Sequence, residues 1–549
     1  MLSSGRIGLG TLRLSGRETA IATIHAALDA GLLLFDTARA YGDGEMVLSE
    51  ALATHAAAAR AFVVTKGGMT RPQEKWRADG RAARLRHDCE TSLGALRRPI
   101  DLYLSHAPDP RVKWATTVRA LARLVEEKLV RAVGVSNVTL AQLDQALALA
   151  PIAAVQVAFS LLDDVPLRSG VLDRCRERGL VLMAHSPLGG PRRAKTLLAT
   201  PLIVEIARRH DAPPAAVALA SLLQAHPHVV VIPGARHPEA AREVAAAASL
   251  LLDDSERAAL SQQFAAVRER VAVAVAPSRG EVVLVMGLPG AGKSELAATL
   301  VAKGFERLNR DQLGGSLASL AGRLEERLAA GTRRLVLDNT YLTRAARADV
   351  LSVAARRGVA VRGIFIDVPL AQAQVNLVWR MLEAHGRLLA PEELRRGRDN
   401  TTIAPTSLWR LQRSLEPPVV GEGFESLEQR PFARAPRSRE GRGARLVTLD
   451  LAEKVPAEEL MTSFVVGWAP EAPPDLDPQI AARCAGVALC RHGGGPPVCW
   501  CRPPLPGLLL ALAHAHDLDL AVSELHGTSR AHRAWATAVG ARFFDHSQK

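Results

Sequence analysis

Eight short apolar runs alternate with amphipathic stretches over the first half of this chain, and this alternation restricts the fold more than any other feature. The runs are RIGLGT, LLLFDTA, AFVVTK, DLYLSH, AVGVSN, AAVQVAF, VLMAHSP and VVVIPG. Strands that alternate with helices predict a parallel sheet. Eight such units predict a closed (β/α)₈ barrel, or TIM barrel, over residues 1–272. A polar residue ends nearly every run, on the barrel face where active sites form.

A second alternating region begins with the strand VVLVMG and a Gly-rich loop at 287–294. The pattern recurs in RRLVLDNT and AVRGIFIDVP, which predicts a doubly wound α/β domain over residues 278–433. Residues 271–281 indicate the boundary between the two regions. The basic, Gly- and Pro-rich residues 431–446 indicate a linker, and a smaller α/β domain is expected over residues 446–549.

The composition limits the class of protein. At 549 residues the chain is too long for one hydrophobic core, and 48% hydrophobic with 23% charged residues exclude a disordered chain. The net charge of +13 permits an anionic substrate without requiring one. Six cysteines do not make a disulfide scaffold. The first residues lack the apolar core of a signal peptide, and no apolar run is long enough to span a membrane, so we expect a cytoplasmic protein without membrane contact.

Four residues on the predicted active face of the barrel suit the reduction of a carbonyl group. Reduction needs an acid that protonates the alkoxide, and a free tyrosine with a pKa of about 10 is a weak acid at neutral pH. A buried lysine cation beside the tyrosine is expected to lower that pKa, and a carboxylate is then needed to hold the lysine. Tyr41, Lys66 and Asp36 fit these roles. His106 can orient the carbonyl group by a hydrogen bond.

The first half of the chain resembles the aldo-keto reductase family. The matching segments are FDTARAYGDGE, VVTKGG, DLYLSHAPDP, GVSN, VQVAFS, HSPLGG and IPGAR. The resemblance implies that Ser136, Asn137 and Gln156 bind the nicotinamide carboxamide. The residues that it places along the rest of the dinucleotide are Ser186, Leu188, Ile232, Gly234, Arg236 and Glu243. Arg236 and Arg242 are candidates for a 2′-phosphate contact, which implies NADPH as the cofactor. The resemblance also implies a small-molecule carbonyl compound as the substrate.

Two features depart from that family. His185 stands before Ser-Pro-Leu, where the family usually has a tyrosine that stacks on the nicotinamide. The chain also begins at the first strand, so we expect the barrel to lack the hairpin that usually closes its floor. A barrel that binds NADPH and regulates the second domain is therefore an alternative to an active reductase.

Residues 287–294, GLPGAGKS, match a complete phosphate-binding loop between a predicted strand and a predicted helix. The glycines let backbone N–H groups approach phosphate oxygens, and the helix N-terminus adds a favourable field. Lys293 is expected to reach the β- and γ-phosphates of ATP, and Ser294 to bind Mg²⁺. The loop residues expected to contact ATP are Gly287, Gly290, Ala291, Gly292, Lys293 and Ser294.

The segments after this loop resemble the kinase domain of polynucleotide kinase-phosphatases, from about residue 281 to residue 433. They include LNRD at 308–311, DNT at 338–340, QAQVNLVWRM and SLEPPVVGEGFESLEQRPF. The resemblance implies that Asp311 is the general base for a 5′-hydroxyl, that Arg380 contacts the ATP phosphates and that Asp338 positions the acceptor or a metal. A carboxylate base is chemically suited to an alcohol nucleophile.

Other interpretations of the same residues remain open. The run Asn309-Arg310-Asp311 also fits a helix cap, and Asp338 also fits the aspartate of a small-molecule kinase. The arginines at 395, 396 and 398 fit either a solvated helix face or a track for a phosphate backbone, and few aromatic residues are available for base stacking. A nucleic-acid 5′ end is the favoured acceptor. A small molecule that is reduced and phosphorylated in one pathway is the alternative.

Four metal-ligand side chains cluster near the C-terminus, at Cys490, His492, Cys499 and Cys501. Thiolate and imidazole ligands suit tetrahedral Zn²⁺, and the flanking Gly and Pro residues allow a tight loop. Accidental clustering in a turn is the alternative interpretation.

The C-terminal segments CWCRPPLPG and LHGTSRAHRAWATAVGARFFD resemble the zinc loop and closing helix of haloacid-dehalogenase-type phosphatases. The catalytic residues of that family do not carry over. The run nearest to its Asp-x-Asp pair is Thr448-Leu449-Asp450-Leu451-Ala452, its lysine is replaced by Pro503, and its Gly-Asp by Gly527-Thr528. Without those carboxylates no Mg²⁺ is held and no phospho-aspartate forms, so we expect a degenerate phosphatase-like domain with a structural zinc. The sequence does not indicate an oligomeric state.

Overall fold

A computed structural model of the chain describes residues 5–267, 280–397, 401–432, 441–470, 480–495 and 497–547. It divides into two compact units, Met1–Val273 and Ala274–Lys549. Most of the predicted boundary at 271–281, and residues 433–440 of the predicted linker, lie outside the described residues. Within the described ranges, no helix combines the length and the apolar character that crossing a membrane requires.

The first unit contains the barrel of parallel strands that the alternation predicts. The strands described in residues 5–267 are β1 (Gly8–Gly10), β2 (Leu34–Asp36), β3 (Phe62–Gly67), β4 (Met69–Thr70), β5 (Arg77–Ala78), β6 (Leu102–Ser105), β7 (Val133–Ser136), β8 (Ile152–Ala158), β9 (Val181–His185) and β10 (Val229–Ile232). Eight of these described strands pair in the order β1-β2-β3-β6-β7-β8-β9-β10. Parallel bridges from Ile7 to Val231 and from Gly10 to Gly234 close the barrel. β4 and β5 form a short antiparallel hairpin after β3.

Helices connect successive strands and cover the outside of the barrel. In the described part of this unit they are α1 (Arg17–Asp29), α2 (Gly44–Ala53), α3 (Ala82–Leu96), α4 (Trp114–Glu126), α5 (Leu140–Leu149), α6 (Val165–Arg168), α7 (Val171–Arg178), α8 (Gly190–Leu198), α9 (Pro201–Arg209), α10 (Pro214–Ala225), α11 (Pro238–Ala245) and α12 (Asp254–Gln263). Thr139 begins α5 by accepting a hydrogen bond from the Gln142 N–H, and the Gln142 side chain accepts one from the Thr139 N–H. The barrel interior is filled by buried side chains that include Leu34, Val64, Leu102, Leu104, Met183 and Val230.

The second unit begins with a parallel sheet that carries the phosphate-binding loop. Its strands in the described residues are β11 (Glu281–Met286), β12 (Glu306–Leu308), β13 (Arg334–Asp338), β14 (Ala360–Asp367) and β15 (Ser426–Pro431), in the order β12-β13-β11-β14-β15. The helices described around this sheet are α13 (Lys293–Val301), α14 (Arg310–Leu313), α15 (Leu317–Ala329), α16 (Arg344–Arg356), α17 (Leu370–His385), α18 (Pro391–Arg396) and α19 (Pro405–Arg413). The adjacent strands β12, β13 and β11 end at one edge, where the order of the sheet reverses and ligands bind in such folds.

A further parallel sheet follows in the same unit. Its described strands are β16 (Arg445–Thr448), β17 (Ser463–Trp468), β18 (Gly486–Cys490), β19 (Glu524–Gly527) and β20 (Arg542–Asp545), in the order β18-β17-β16-β19-β20. The helices described with it are α20 (Leu449–Ala452), α21 (Ala457–Met461), α22 (Gly507–His516) and α23 (Arg530–Val539). The order reverses between β16 and β19, so Asp450 and Thr528 follow the two strands at the reversal point.

The two sheets of the second unit share one hydrophobic core. Side chains on α17, such as Leu377 and Met381, belong to the same buried cluster as Leu509 on α22 and Trp535 on α23. The sequence indicates two separate domains here, but burial of these apolar faces against each other joins them into one compact unit.

Candidate functional site

The strand ends of the barrel bring the four predicted catalytic residues to one place. Asp36 ends β2, Lys66 lies near the end of β3, His106 follows β6 and Tyr41 lies in the loop before α2. Asp36, Tyr41 and His106 line a cavity of about 430 Å³, and Lys66 lies buried beneath it. The Tyr41 and His106 rings meet edge to face, with centroids 5.6 Å apart. The predicted grouping of these residues is therefore present in the fold.

The Lys66 ammonium group donates hydrogen bonds to oxygen atoms of Asp36 and Thr37. Its Nζ donates to Asp36 Oδ1 at 2.8 Å, to Asp36 Oδ2 at 2.7 Å and to the Thr37 carbonyl oxygen at 2.8 Å. Gln156 Nε2 also donates to Asp36 Oδ1 at 2.7 Å. Burial lowers the pKa of Lys66, but Asp36 and Tyr41 raise it by more, so its pKa lies above the ordinary value and the lysine stays charged.

Lys66 lowers the pKa of Tyr41 as expected, but the net pKa of Tyr41 is raised above its ordinary value. Burial raises the pKa of Tyr41, and this effect together with the Asp36 charge exceeds the opposite effects of Lys66 and Arg71. The largest effect is the removal of the phenol from water, which disfavours the charged phenolate. Tyr41 therefore keeps its proton at neutral pH, as a group that donates a proton to a developing alkoxide must.

Two histidines on the cavity wall are held neutral. Burial, with repulsion from Lys66 and His185, lowers the pKa of His106 to about 3. Burial and Lys66 lower the pKa of His185 to about 4. His185 Nε2 lies 3.1 Å from Asn137 Oδ1, and its Nδ1 lies 3.3 Å from Ser186 Oγ. His185 therefore contacts two residues, Asn137 and Ser186, that are expected to bind the dinucleotide.

The residues expected to contact the dinucleotide divide into two groups. The predicted residues that line the cavity are Asn137, Gln156, Ser186, Leu188, Ile232 and Gly234. Ser136 is buried behind them, and its Oγ accepts a hydrogen bond from Asn137 Nδ2 at 3.1 Å. Arg236, Arg242 and Glu243 are exposed and do not line this cavity. Arg13 also lines the cavity, and burial together with the charge of Arg236 lowers its pKa. The sequence does not single out this cationic residue.

Trp76 is a second wall residue that sequence reasoning misses. It lies between β4 and β5, and its ring centroid is 6.2 Å from that of Tyr41 and 5.6 Å from that of His106. The tryptophan is 45% exposed, and the Arg71 guanidinium lies 4.7 Å from its ring centroid. No periodic pattern marks this residue, because the hairpin that carries it interrupts the alternation of strands and helices.

The phosphate-binding loop has the backbone that its glycines predict. Gly287, Gly290 and Gly292 have φ values of 146°, 82° and 84°. A Cβ atom at Gly287 would approach the Ile366 carbonyl oxygen to 2.7 Å, and one at Gly290 would approach that of Ala373 to 2.8 Å. Glycine is required at both positions because the backbone is in the left-handed region and neighbouring backbone is close.

Lys293, Ser294 and Asp338 meet at the base of this loop. Lys293 Nζ donates to the carbonyl oxygens of Gly287 at 3.0 Å and Leu288 at 2.9 Å. Burial and repulsion from Arg380 lower the pKa of Lys293 to about 8, against the opposite effects of Asp338 and Asp311. Ser294 Oγ donates to Asp338 Oδ2 at 3.3 Å. A hydroxyl next to a carboxylate suits a Mg²⁺ site of the expected kind.

Arg307 and Asn309 hold Asp338, and the sequence marks neither of them for this role. Arg307 Nε donates to Asp338 Oδ1 at 2.8 Å, and its Nη2 donates to Oδ2 at 2.5 Å. Asn309 Nδ2 donates to the Asp338 carbonyl oxygen at 2.7 Å. Asn309 also caps α14, since its side chain accepts from the Asp311 N–H at 2.8 Å. The capping interpretation is thus confirmed, and it is compatible with a place in the site.

Asp311 and Arg380 line the same cavity, of about 530 Å³, as Lys293, Ser294 and Asp338. The Asp311 carboxylate is half exposed and lies 3.6 Å from Arg310 Nη2. Arg310 and Arg395 also line the cavity. Trp379 and Trp409, two aromatic residues of the same domain, each pack partly buried against the core. Arg398 lies outside the described residues.

The four C-terminal metal-ligand candidates are brought together. Their ligand atoms all lie within 4.8 Å of one another. Cys490 Sγ is 3.8 Å from Cys499 Sγ and 3.4 Å from Cys501 Sγ, and His492 Nδ1 is 3.2 Å from Cys501 Sγ. All six cysteines of the chain are free. Three thiols and an imidazole at these separations fit a tetrahedral zinc site.

The reversal point of the C-terminal sheet holds a single carboxylate from the predicted degenerate site. Thr528 Oγ1 donates a short hydrogen bond to Asp450 Oδ2. Thr448, the first residue of the run that resembles the Asp-x-Asp motif, is buried at the end of β16. This pair lacks the second carboxylate of an Asp-x-Asp centre, in which one aspartate acts as the nucleophile and the other as the acid.

Two parts of the chain match known families. Residues 6–263 match the aldo/keto reductase family, and residues 282–399 match an AAA domain family. The aldo-keto reductase str7 of Strobilurus tenacellus is 32% identical over 267 residues, covering 43% of this chain and 78% of that protein. A probable aldo-keto reductase of Glycine max is 31% identical over 266 residues, covering 42% and 76%. The structure of a Klebsiella pneumoniae aldo-keto reductase in complex with NADPH is 28% identical, covers 47% of this chain and 90% of that one, and has a TM-score of 0.42.

Proposed function

Because this chain belongs to the aldo/keto reductase family through residues 6–263, we propose that its barrel reduces a carbonyl compound with NADPH. We further propose that its second unit transfers the γ-phosphate of ATP to a hydroxyl group. The observation that carries the first proposal is the Lys66–Asp36 ion pair, 2.7 Å long and buried beneath a cavity lined by Tyr41 and His106.

The barrel residues divide the work of reduction among them. NADPH supplies the hydride when bound, and the residues that would hold it are Ser136, Asn137, Gln156, Ser186, Leu188, Ile232 and Gly234. Tyr41 donates its proton to the carbonyl oxygen as the alkoxide forms, and the Lys66 cation stabilises the phenolate left behind. Neutral His106 donates a hydrogen bond that orients the carbonyl. Arg13, Arg236 and Arg242 supply cationic groups for a 2′-phosphate, which favours NADPH over NADH.

The second unit has the parts that phosphoryl transfer needs. The loop 287–294 would hold the ATP phosphates, with Lys293 and Arg380 neutralising charge that develops on the transferred group. Ser294 and Asp338 would hold Mg²⁺. Asp311, half exposed on the same cavity, would take the proton of the acceptor hydroxyl.

For the acceptor we propose the 5′-hydroxyl end of a polynucleotide. One support is the resemblance to polynucleotide kinases. The other is that Arg310 and Arg395 line the same cavity as Asp311, the proposed general base, where they could contact a phosphate backbone. A small-molecule hydroxyl is the second candidate. It is favoured by the lining of the cavity, because none of its described residues is an aromatic residue on which a base could stack.

For the C-terminal part of the second unit we propose a structural role with bound Zn²⁺. Cys490, His492, Cys499 and Cys501 would hold the ion, which supplies no reaction step and ties β18 to the loop before α22. Because Asp450 is the one acidic residue within the run 448–452, which resembles the phosphatase motif, we expect no phosphatase activity.

The kinase proposal is tested by transfer of labelled γ-phosphate from ATP to 5′-hydroxyl RNA and DNA oligonucleotides. Labelled oligonucleotide with the wild-type chain, lost in Lys293→Ala, is the expected result. A folded, ATP-binding chain that labels neither RNA nor DNA contradicts a polynucleotide acceptor. A screen of small-molecule alcohols with the same label then tests the second candidate.

A further inference from the structure

Glu45, in the first turn of α2, is a fully buried carboxylate that the proposed mechanism does not use. A glutamate in this position can stabilise its helix through the helix dipole while it stays exposed to water. Burial of a carboxylate costs free energy unless the group is paired and hydrogen bonded. The partners of Glu45 therefore indicate what it does in the fold.

One oxygen of Glu45 binds the loop that carries the catalytic tyrosine. Glu45 Oε2 accepts a hydrogen bond from Arg39 Nη1 at 2.9 Å. The Arg39 side chain is 30% exposed, whereas that of Glu45 is 0% exposed. Arg39 lies two residues before Tyr41 in the same loop, so the ion pair holds the loop close to the phenol.

The other oxygen of Glu45 binds the strand that carries the catalytic lysine. Glu45 Oε1 accepts a hydrogen bond from Thr65 Oγ1 at 2.7 Å. Thr65 is buried directly before Lys66 on β3. The backbone adds a second link, since the Arg39 N–H donates to the Lys66 carbonyl oxygen at 2.9 Å. One carboxylate thus joins the tyrosine loop to the lysine strand.

This link sets the separation of two groups that act on each other. Lys66 Nζ lies 5.2 Å from the centroid of the Tyr41 ring. The Lys66 cation lowers the pKa of Tyr41 against the larger effect of burial. The attraction between an ammonium group and a phenolate falls with distance, so a loop that moved away from β3 would stabilise the phenolate less.

We propose that Glu45 is a positioning residue for carbonyl reduction, and that its carboxylate fixes the Tyr41 phenol beside the Lys66 ammonium group. This inference rests on the proposed reductase function. Glu45, Arg39 and Thr65 do not line the catalytic cavity. Glu45 therefore acts through Tyr41 and takes no part in the bond changes.

Glu45→Gln tests this role, because it removes the charge and keeps the size of the side chain. We expect kcat for aldehyde reduction to fall by about tenfold to a hundredfold, since a small displacement of a reacting group has effects of this size. The Kd of NADP⁺, measured by calorimetry on the full chain, is expected to stay unchanged, because the residues that would hold the dinucleotide are not disturbed.

Asp101→Asn is the matched control. Asp101 is also a buried carboxylate, and it accepts from Arg131 Nη1 at 2.6 Å and from the Val63 N–H of β3 at 2.8 Å. Val63 lies near the start of β3, at the opposite end from Lys66. This variant is expected to keep the wild-type kcat. An equal fall of kcat in the two variants would show a general loosening of the barrel and would overturn the proposal.

A double-mutant cycle shows whether Glu45 acts through Tyr41. In a Tyr41→Phe background, Glu45→Gln is expected to cause no further fall of the residual rate, because the hydroxyl that it positions is gone. A further fall as large as that in the wild-type background contradicts the proposal. If Glu45→Gln does not fold, Arg39→Gln takes its place in the cycle, since it breaks the same ion pair from the partly exposed side.

A measurement without turnover separates this proposal from the reductase activity on which it rests. The chain has three tyrosines, so the full chain labelled with [ζ-¹³C]tyrosine gives three phenol resonances, and Tyr41→Phe identifies one of them. We expect the Tyr41 resonance to shift in Glu45→Gln and to stay in place in Asp101→Asn. A shift in a chain that reduces no aldehyde supports the positioning role, and the reductase proposal alone then fails. A Tyr41 resonance that Glu45→Gln leaves in place overturns the positioning role.

Discussion

The indole Nε1 of Trp500 donates a hydrogen bond of 2.8 Å to the backbone carbonyl oxygen of Ile403. Trp500 is buried between Cys499 and Cys501, two of the proposed zinc ligands, and Ile403 lines the cavity that contains the phosphate-binding loop. The loop that carries the proposed zinc ligands therefore contacts one wall of the proposed kinase site.

Trp500→Phe tests this contact, because it removes the N–H donor and keeps a large apolar ring. The Ile403 oxygen loses its partner, and we expect the acceptor KM of the kinase to rise by about fivefold to tenfold, in line with the loss of one buried hydrogen bond. Trp535→Phe is a matched control, because Trp535 is buried in the same core and its Nε1 has no hydrogen-bond partner among the described residues. Equal kinase kinetics in the two variants would contradict the role of Trp500.

Removal of the proposed zinc should destabilise the second unit selectively. We expect one zinc per chain by elemental analysis of the purified protein, and loss of zinc in Cys499→Ser with a lower melting temperature for the second unit. Cys484→Ser is the control, since Cys484 lies outside the four-residue cluster. A chain that carries no zinc, and whose melting temperature a chelator leaves unchanged, argues against a structural metal.

The reductase should show a flat pH profile across the neutral range. Activity requires neutral His106 and protonated Tyr41. The pKa of His106 is lowered to about 3 and that of His185 to about 4, while that of Tyr41 is raised. Activity is therefore expected to fall only as His106 gains a proton in acid or Tyr41 loses one in strong alkali, so kcat/KM should be constant from about pH 5 to about pH 9. An inflection near the ordinary histidine pKa of about 6.5 would show that one of these imidazoles titrates in the functional enzyme.

Asp311→Asn separates chemistry from nucleotide binding in the second unit. The carboxylate is half exposed, so its replacement should not disturb folding, and we expect phosphoryl transfer to fall by about 10²–10⁴-fold with ATP binding retained. The matched control is Asp367→Asn, an exposed aspartate at the end of β14 that does not line the cavity. Transfer at the wild-type rate in Asp311→Asn would remove this residue from the role of general base.

The residues that could be predicted from the sequence share a local cause. Asp36, Lys66 and His106 stand at the ends of strands, and the glycines of the phosphate-binding loop meet conformational demands set within a few residues. Other contacts join segments that are distant in the sequence, so no periodicity or motif predicts them. They are the Arg307–Asp338 ion pair, the Gln156–Asp36 hydrogen bond and the Trp500–Ile403 hydrogen bond. Lys66 lowers the pKa of Tyr41 as the sequence predicts, but the net direction depends on burial, which spacing alone does not provide.

The measurement that tests the central claim most directly is aldehyde-dependent oxidation of NADPH by the full chain and by Tyr41→Phe. The account predicts steady oxidation by the wild type and a loss of about 10²–10⁴-fold in the variant, with NADPH binding retained in both. Oxidation at the same rate in the two proteins would contradict the assignment of Tyr41 as the proton donor. NADPH binding without oxidation of any carbonyl compound by the wild type would contradict an active reductase and favour a barrel that senses the cofactor.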